Sequence, residues 1–322
     1  MLMRQIKIGS YFIFFEVNMK KSILFLFVGL ALFASCANED TTNTSASNGD
    51  AILLKAGSIA SRAATNIQGD EFEKGEQINV FLSEVTDGTP STRYTQPMVY
   101  VTTNNSGNMK PSNSIFPYYP ANGNKVNLWA VYPSTVTQNS TVFQVASDQS
   151  TTVNYKKSDL MYCVKNNIER QSNVVDILFQ HKLAKVVVQL SVPEGKEPTI
   201  LDNANINITN VYRKIAIDPK TQYIGTTAEE LSEKGSVLMT TNGRLGCAAI
   251  VVPQTLEADY FLEIRLSNGD ILNYLLPQTI TLASGTVNTF SISVNEQSIT
   301  ANYSVTPWDD QETIEKTLSL DD

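Results

Sequence analysis

The residues of this chain that could do chemistry are few: one histidine, three cysteines and a handful of clustered carboxylates in 322 residues. A histidine-based triad or metal site would have to be built around His181 alone, because there is no second imidazole. Cys36, Cys163 and Cys247 form no Cys-x-x-Cys pair and no Cys/His cluster at zinc spacing. Cys163 and Cys247 lie in the strand-like runs DLMYCVK and LGCAAIVV, and they read as two buried free thiols. Asp309, Asp310 and Glu312 sit beside Trp308 at a spacing that fits no calcium loop, and they read as a solvated turn. In GSIASRAATNIQG the glycines are too far apart for a phosphate loop, and no Lys-Ser/Thr follows them. His181, within FQHKLAKVVVQL, reads as a satisfied residue at the start of a strand. The expectation is a protein with no catalytic, cofactor-binding or metal residues, and so not an enzyme.

Cys36 has a different setting. It closes the apolar run Ile23–Phe33, which is entered through Met19-Lys20-Lys21 and is too short to span a bilayer, for which about 20 residues are needed. A basic start, an apolar core and small residues before a polar break make a secretory signal peptide. Phe33-Ala34-Ser35-Cys36 is similar to a bacterial lipobox, with Phe in place of the usual Leu; the similarity implies that Cys36 becomes the mature first residue and carries lipid. Met19 is the more natural start, so residues 1–35 are expected to be a signal peptide behind an over-long N-terminus. Asn38-Glu39-Asp40 resembles the acidic signal that sends Bacteroides-type lipoproteins to the cell surface. Residues 37–50 are polar and without apolar periodicity, as a tether would be. Removing residues 1–35, which hold Arg4, Lys7, Lys20 and Lys21 against Glu16, takes the formal net charge from −8 to −11. Such a chain repels phosphate backbones, which argues against nucleic-acid partners.

Beyond the tether the pattern is strand after strand. Candidates are Ile78–Leu82, Met98–Thr102, Val126–Tyr132, Leu160–Val164, Val174–Phe179, Leu183–Leu190, Ile206–Tyr212, Ala248–Val252, Tyr260–Leu266, Ile271–Leu276 and Val287–Val294. They are rich in Val, Ile, Tyr and Phe and bounded by Asn, Gly, Pro, Ser and Thr. An all-β sandwich protein is expected. Asn268-Gly269, between alternating apolar residues, predicts a hairpin closed by a type I′ turn. SVPEGKEP, Ser191 to Pro198, predicts a second hairpin connection, and TAEELSEK, Thr227 to Lys234, is the best helix candidate.

FQHKLAKVVVQL, Phe179 to Leu190, resembles the Phe-x-His-x-(Leu/Met)-Ala-Lys signature of the fimbrillin-like families of Bacteroidetes surface lipoproteins. Further pieces stand in the family's order. SRAATNIQGDEFEKGEQINVFL resembles its Arg-Ala and Phe-x-x-Gly opening through Phe72, Gly75, Ile78, Val80 and Phe81, with Glu76 replacing the usual Asp. AAIVVPQTL and TLASGTVNTFSISV resemble the Pro-Gln strand end and the late Gly-containing strand, and VTPWDD is similar to the terminal Pro-Trp segment.

The resemblance implies two tandem β-sandwich domains of transthyretin-like topology, here 63–178 and 179–322, behind a lipidated tether and removable first strand at 36–62. It implies a fimbrial subunit, a component of a cell-surface pilus. Such a subunit is exported by the lipoprotein machinery to the outer membrane and cut there by an arginine-specific protease. Arg62 and Ala63 are the candidate cut. AILLKAG, Ala51 to Gly57, is apolar enough to lie in a sandwich groove; its loss would leave a slot inviting another strand. The even spacing of Ile314, Leu318 and Leu320 makes the C-terminal tail the candidate donor. The expected partners are other fimbrial subunits and a host or bacterial surface ligand. The competing class is a glycan-binding surface lipoprotein that keeps its lipid, with Tyr118 and Tyr119 in IFPYYPANGN as its best platform.

Overall fold

The computed structural model describes residues 51–58, 72–87, 91, 93–195, 198–225, 233–240, 246–295 and 298–308. Among them the chain is all-β apart from one short helix and one 3-10 turn. A seven-stranded sheet runs in the order β1 (Leu54–Ser58), β8 (Val175–His181), β7 (Met161–Ile168), β5 (Val126–Tyr132), β2 (Gln77–Glu84), β3 (Met98–Thr102), β4 (Met109–Pro111). Neighbours are antiparallel except β1, which lies parallel to β8. Strand β8 shows why such sequences become strands: Val175, Ile177 and Phe179 are buried, while Asp176, Leu178 and Gln180 between them face out. Ile52, Leu54, Ala56, Phe72, Tyr100, Val126 and Phe179 belong to the core beneath this sheet.

A second core is built from the later strands. One sheet has the order β14 (Cys247–Val251), β9 (Ala184–Ser191), β19 (Thr286–Asn295), β20 (Ser298–Pro307), with β9 and β19 parallel. The other has the order β13 (Gly235–Leu238), β10 (Asn205–Val211), β16 (Tyr260–Arg265), β17 (Ile271–Leu275). Strands β15 (Gln254–Leu256) and β18 (Ile280–Leu282) pair with each other, and a small sheet runs β12 (Tyr223–Ile224), β11 (Lys214–Asp218), β6 (Val142–Gln144).

That last sheet ties the two halves of the chain together. Strand β6 comes from the first half and β11 from the second, and Val136, Phe143, Val145, Tyr155 and Leu160 are buried in the second core. Gln149, fully buried, donates Nε2 to the Ile250 carbonyl at 2.7 Å and accepts from the Ile250 N–H at 2.8 Å, standing in for a strand residue. On the other side Asn79 donates Nδ2 to the carbonyls of Ser134 and Val136, both at 2.7 Å. The division expected between residues 178 and 179 falls inside β8, and Phe179 packs edge-on against Phe72 in the first core.

All eleven expected strands are present, with ends moved by a residue or a few. Three local expectations need correction. The β16–β17 hairpin exists, but only Gly269 has positive φ. Gly269 N–H donates to the Leu266 carbonyl, Leu266 N–H to that of Asp270, and Asn268 Oδ1 accepts from Asp270 N–H, which makes a type I turn with a glycine bulge rather than type I′. The stretch from Ser191 to Pro198 is not a hairpin: β9 and β10 lie in different sheets, so the chain crosses between them. The helix candidate at 227–234 lies mostly outside the described residues. The helix that is described, α1 (Thr152–Lys157), starts where Thr151 Oγ1 accepts from Asn154 N–H, ends on Lys156 and Lys157, and buries Tyr155.

Candidate functional site

Strand β1 and its seat are the strongest candidate. Ile52, Leu54 and Ala56 point into the first core at 0%, 1% and 3% exposure. Leu53, Lys55 and Gly57, half-buried, alternate with them on the other face, and the apolar character of AILLKAG suits the groove it fills. On one side the ladder to β8 runs Leu54↔Val175 to Ser58↔Phe179, extended by the Val175 N–H to the Leu53 carbonyl at 2.8 Å. On the other side the N–H groups of Ile52 and Ala56 donate to the carbonyls of Pro117 and Gly107, both at 2.8 Å. Bridges Ala51↔Tyr118 and Lys55↔Asn108 complete that flank, so β1 is bonded along both edges.

Gly107 decides how closely this flank can approach. Its φ is +80°, and a Cβ there would lie 1.9 Å from the Ala56 carbonyl oxygen. Only glycine lets the 103–108 turn press on β1 while accepting its hydrogen bond. Asn104 Oδ1 holds that turn by accepting from Asn108 N–H at 3.1 Å. The loop singled out as a sugar platform is the other part of the flank. Tyr119 is buried and Tyr118 is 39% exposed, with the Tyr118 carbonyl accepting from the Tyr94 hydroxyl. Burial pushes the Tyr94 phenol up to about 12.

A second cluster explains the motifs. His181 is the last residue of β8, not the start of a strand. Its ring stacks on Trp308 at 3.9 Å and 5°, its Nδ1 lies 3.0 Å from the fully buried Asp159 carboxylate, and Lys185 Nζ sits 5.5 Å from the Trp308 ring centroid. The Trp308 N–H donates to the Gly285 carbonyl, and the Gly285 N–H to that of Leu183. Three separated sequence motifs thus meet in one packed knot. The Pro-Gln motif has a reason of the same kind, since Gln254 bonds both the N–H and the carbonyl of Tyr212. Among the described residues no three His, Cys, Asp or Glu side chains are placed to share a metal ion. Cys163 and Cys247 are both buried and not joined in a disulfide, and burial pushes the Cys163 thiol up to about 11.

Cys36, Arg62, Ala63, Ile314, Leu318 and Leu320 lie outside the described residues. Sequence reasoning found the strand but missed Gly107, Asn104 and Gln149. A glycine in a polar run, NNSGN, was the one available signal for the first two.

A family model described as fimbrillin-like matches residues 61–308, and the chain belongs to that family. The match begins after β1. The fold is similar to that of a candidate cell adhesion protein from Bacteroides uniformis, 18% identical with a TM-score of 0.62 over 82% of this chain and 99% of that one. It is also similar to a candidate cell adhesion protein from Bacteroides ovatus, 15% identical with a TM-score of 0.64 over 80% of this chain and 97% of the other. No curated protein matches the sequence.

Proposed function

We propose that the protein is a structural subunit or adhesin component of a cell-surface fimbria. It is exported as a lipoprotein on Cys36, reaches the outer membrane, and assembles by strand exchange after an arginine-specific protease cuts between Arg62 and Ala63. In this reading the two cores are tandem sandwich domains of transthyretin-like topology. The observation that carries it is the seat of β1: a short strand bonded on both edges, filling a core, and joined to the rest of its sheet by a link that contains Arg62.

Thirteen residues, 59–71, join Ser58 to Phe72. Both ends of that link meet Phe179, one through the ladder and one through ring packing with centroids 5.1 Å apart. Thirteen residues span about 43 Å when extended, far more than those ends require, so a cut in the link need not disturb either neighbour. Once cut, β1 is held only by its hydrogen bonds and by Ile52, Leu54 and Ala56, of which the larger two contribute about 1.5–3 kcal/mol each. Its departure leaves unpaired backbone groups on β8 and at Gly107 and Pro117 beside exposed apolar side chains, a slot that a strand from another subunit satisfies. Ile314, Leu318 and Leu320 supply such a strand.

The test is limited trypsin digestion followed by light scattering, on the natural chain, on Arg62→Ala, and on a chain truncated after Asp310. Oligomers that grow only with Arg62 and the tail present support strand exchange. Cut protein that stays monomeric at high concentration overturns it and favours a lipid-anchored, glycan-binding role.

A further inference from the structure

The two four-stranded sheets around the second core are tied together along one side and open along the other. On the tied side, residues 147–149 cover the outer edges of both β13 and β14. The Leu238 N–H donates to the Ser147 carbonyl and the Gln149 N–H to the Leu238 carbonyl, while the Gln149 side chain meets Ile250. On the open side β17 is an edge strand, with β16 as its one neighbour among the described residues.

The hairpin fixes which groups of that edge are free. The Leu266 N–H donates to the Asp270 carbonyl, and the Leu276 N–H to that of Asp259. Bonding alternates along an antiparallel ladder, so Leu272 and Tyr274 bond toward β16, while Ile271, Asn273 and Leu275 turn their N–H and C=O groups outward. The same three side chains lie on the solvent face. Ile271 is 45% exposed, Leu275 50%, and Tyr260, the β16 partner of Leu275, 56%. Edge strands are commonly guarded by lysine, proline or a bulge. Strand β17, ILNYL, has neither lysine nor proline, and the register shift of this hairpin leaves its extra residue on β16.

The edge is complementary to itself. Turned about a two-fold axis at Asn273, a second β17 lies antiparallel to the first, with Asn273 opposite Asn273 and Ile271 opposite Leu275 in both directions. All of these are hydrogen-bonded pairs, so the outward groups of both strands satisfy one another. Ile271 of one copy meets Leu275 of the other, which already lies beside Tyr260, and the two Asn273 amides meet on the axis. No charged residue of β17 faces its copy, and Glu263, one strand back, is about 14 Å from its own, beyond the screening length.

We infer that a second copy of this chain docks on β17 by this two-fold antiparallel pairing, which joins two four-stranded sheets into one. Five residues a side bury less than the roughly 1,200 Å² at which stable interfaces begin. The pairing is therefore weak between free subunits and takes effect where they are crowded side by side. It does not depend on the exchange of β1.

The experiment is residue-resolved amide exchange of the uncut full chain at two concentrations about a hundredfold apart. Ile271, Asn273 and Leu275 should gain about tenfold protection at the higher concentration, while β9 and β19 stay unchanged. Asn273→Lys, which sets like charges on the axis, should abolish that gain and leave Leu272 and Tyr274 as protected as before. Asn273→Cys should link two copies by a disulfide about tenfold faster than Tyr223→Cys on β12, with Cys36→Ser in both. Exchange at the three amides that ignores concentration overturns the inference. So does a gain that survives Asn273→Lys, or one that falls on another edge, such as β20, and not on β17. Each of these outcomes is read without cleavage, so none of them bears on the assembly reading of β1.

Discussion

Strand β1 and the segment 136–149 each add a short stretch of chain to a sheet edge, and they are held by different means. Strand β1 contributes three buried side chains and a backbone bonded on both edges, and no side-chain hydrogen bond is described for it. Segment 136–149 pairs β6 with β11, sends Val136, Phe143 and Val145 into the second core, and adds the paired bonds of Gln149 to Ile250. Main-chain bonds are nearly independent of sequence, so an element held by them and by a few aliphatic side chains can be replaced by another strand of similar pattern. A buried amide that matches one particular peptide group cannot. The difference separates a part whose hold is nearly indifferent to sequence from one tied to a particular peptide group.

The largest effect should come from Val145→Asp. It puts a carboxylate at a fully buried site in the second core and should cost upwards of about 4 kcal/mol, read as loss of the whole urea transition. If only part of the protein unfolds, the segment is not the permanent tie described here. Gln149→Leu should come next at about 2–4 kcal/mol, because it strands both the N–H and the carbonyl of Ile250 in the core. Gly107→Ala sharpens the other side of the comparison. With the Ala56 carbonyl 1.9 Å from the new methyl, β1 must lift, and exchange of the β8 amides should rise about tenfold while β9 and β19 stay protected. Uniform loss of protection would mean that β1 is not a separable unit.

The smallest effect concerns the contact between α1 and the start of β2. Lys156 lies 2.8 Å from both Glu73 and Glu76, and burial, the largest influence, raises the Glu76 carboxyl above its ordinary 4.5 against the opposing pull of Lys156. Folded Glu76 therefore holds its proton to higher pH than the unfolded chain does. Its contribution to stability is full below about 4.5 and is lost as pH rises through the raised folded value. Glu76→Gln should flatten stability across that window by under about 1 kcal/mol once solvent screening is counted, measured by urea titration at stepped pH.

What could be read from the sequence follows the range of the forces involved. Strands such as β5 and β3 carry their own alternation or β-branched density and are found to the residue. Strands β6, β12 and β15 are two or three residues long and exist because of partners elsewhere in the chain. Strand β20 did carry a usable pattern in Ile299, Ala301 and Tyr303, with polar residues between. Helix α1 was hidden by Thr152 and Val153, which favour strands in isolation. At the candidate site the strand was legible because its run of apolar residues is local and the family resemblance implied a first strand there. Gly107 was not, because its requirement comes from a carbonyl oxygen on a different strand. The same holds for Gln149, whose partner Ile250 lies 101 residues along the chain.

The hydrogen bonding of β1 along both edges also bears on how the protein meets other chains. An open strand edge is a template for pairing with any passing chain, and so for aggregation. With β1 in place, the edge of β8 and the groups at Gly107 and Pro117 are already occupied. The segment whose loss would open that edge is therefore also what covers it, and the hazard and its safeguard occupy the same few residues.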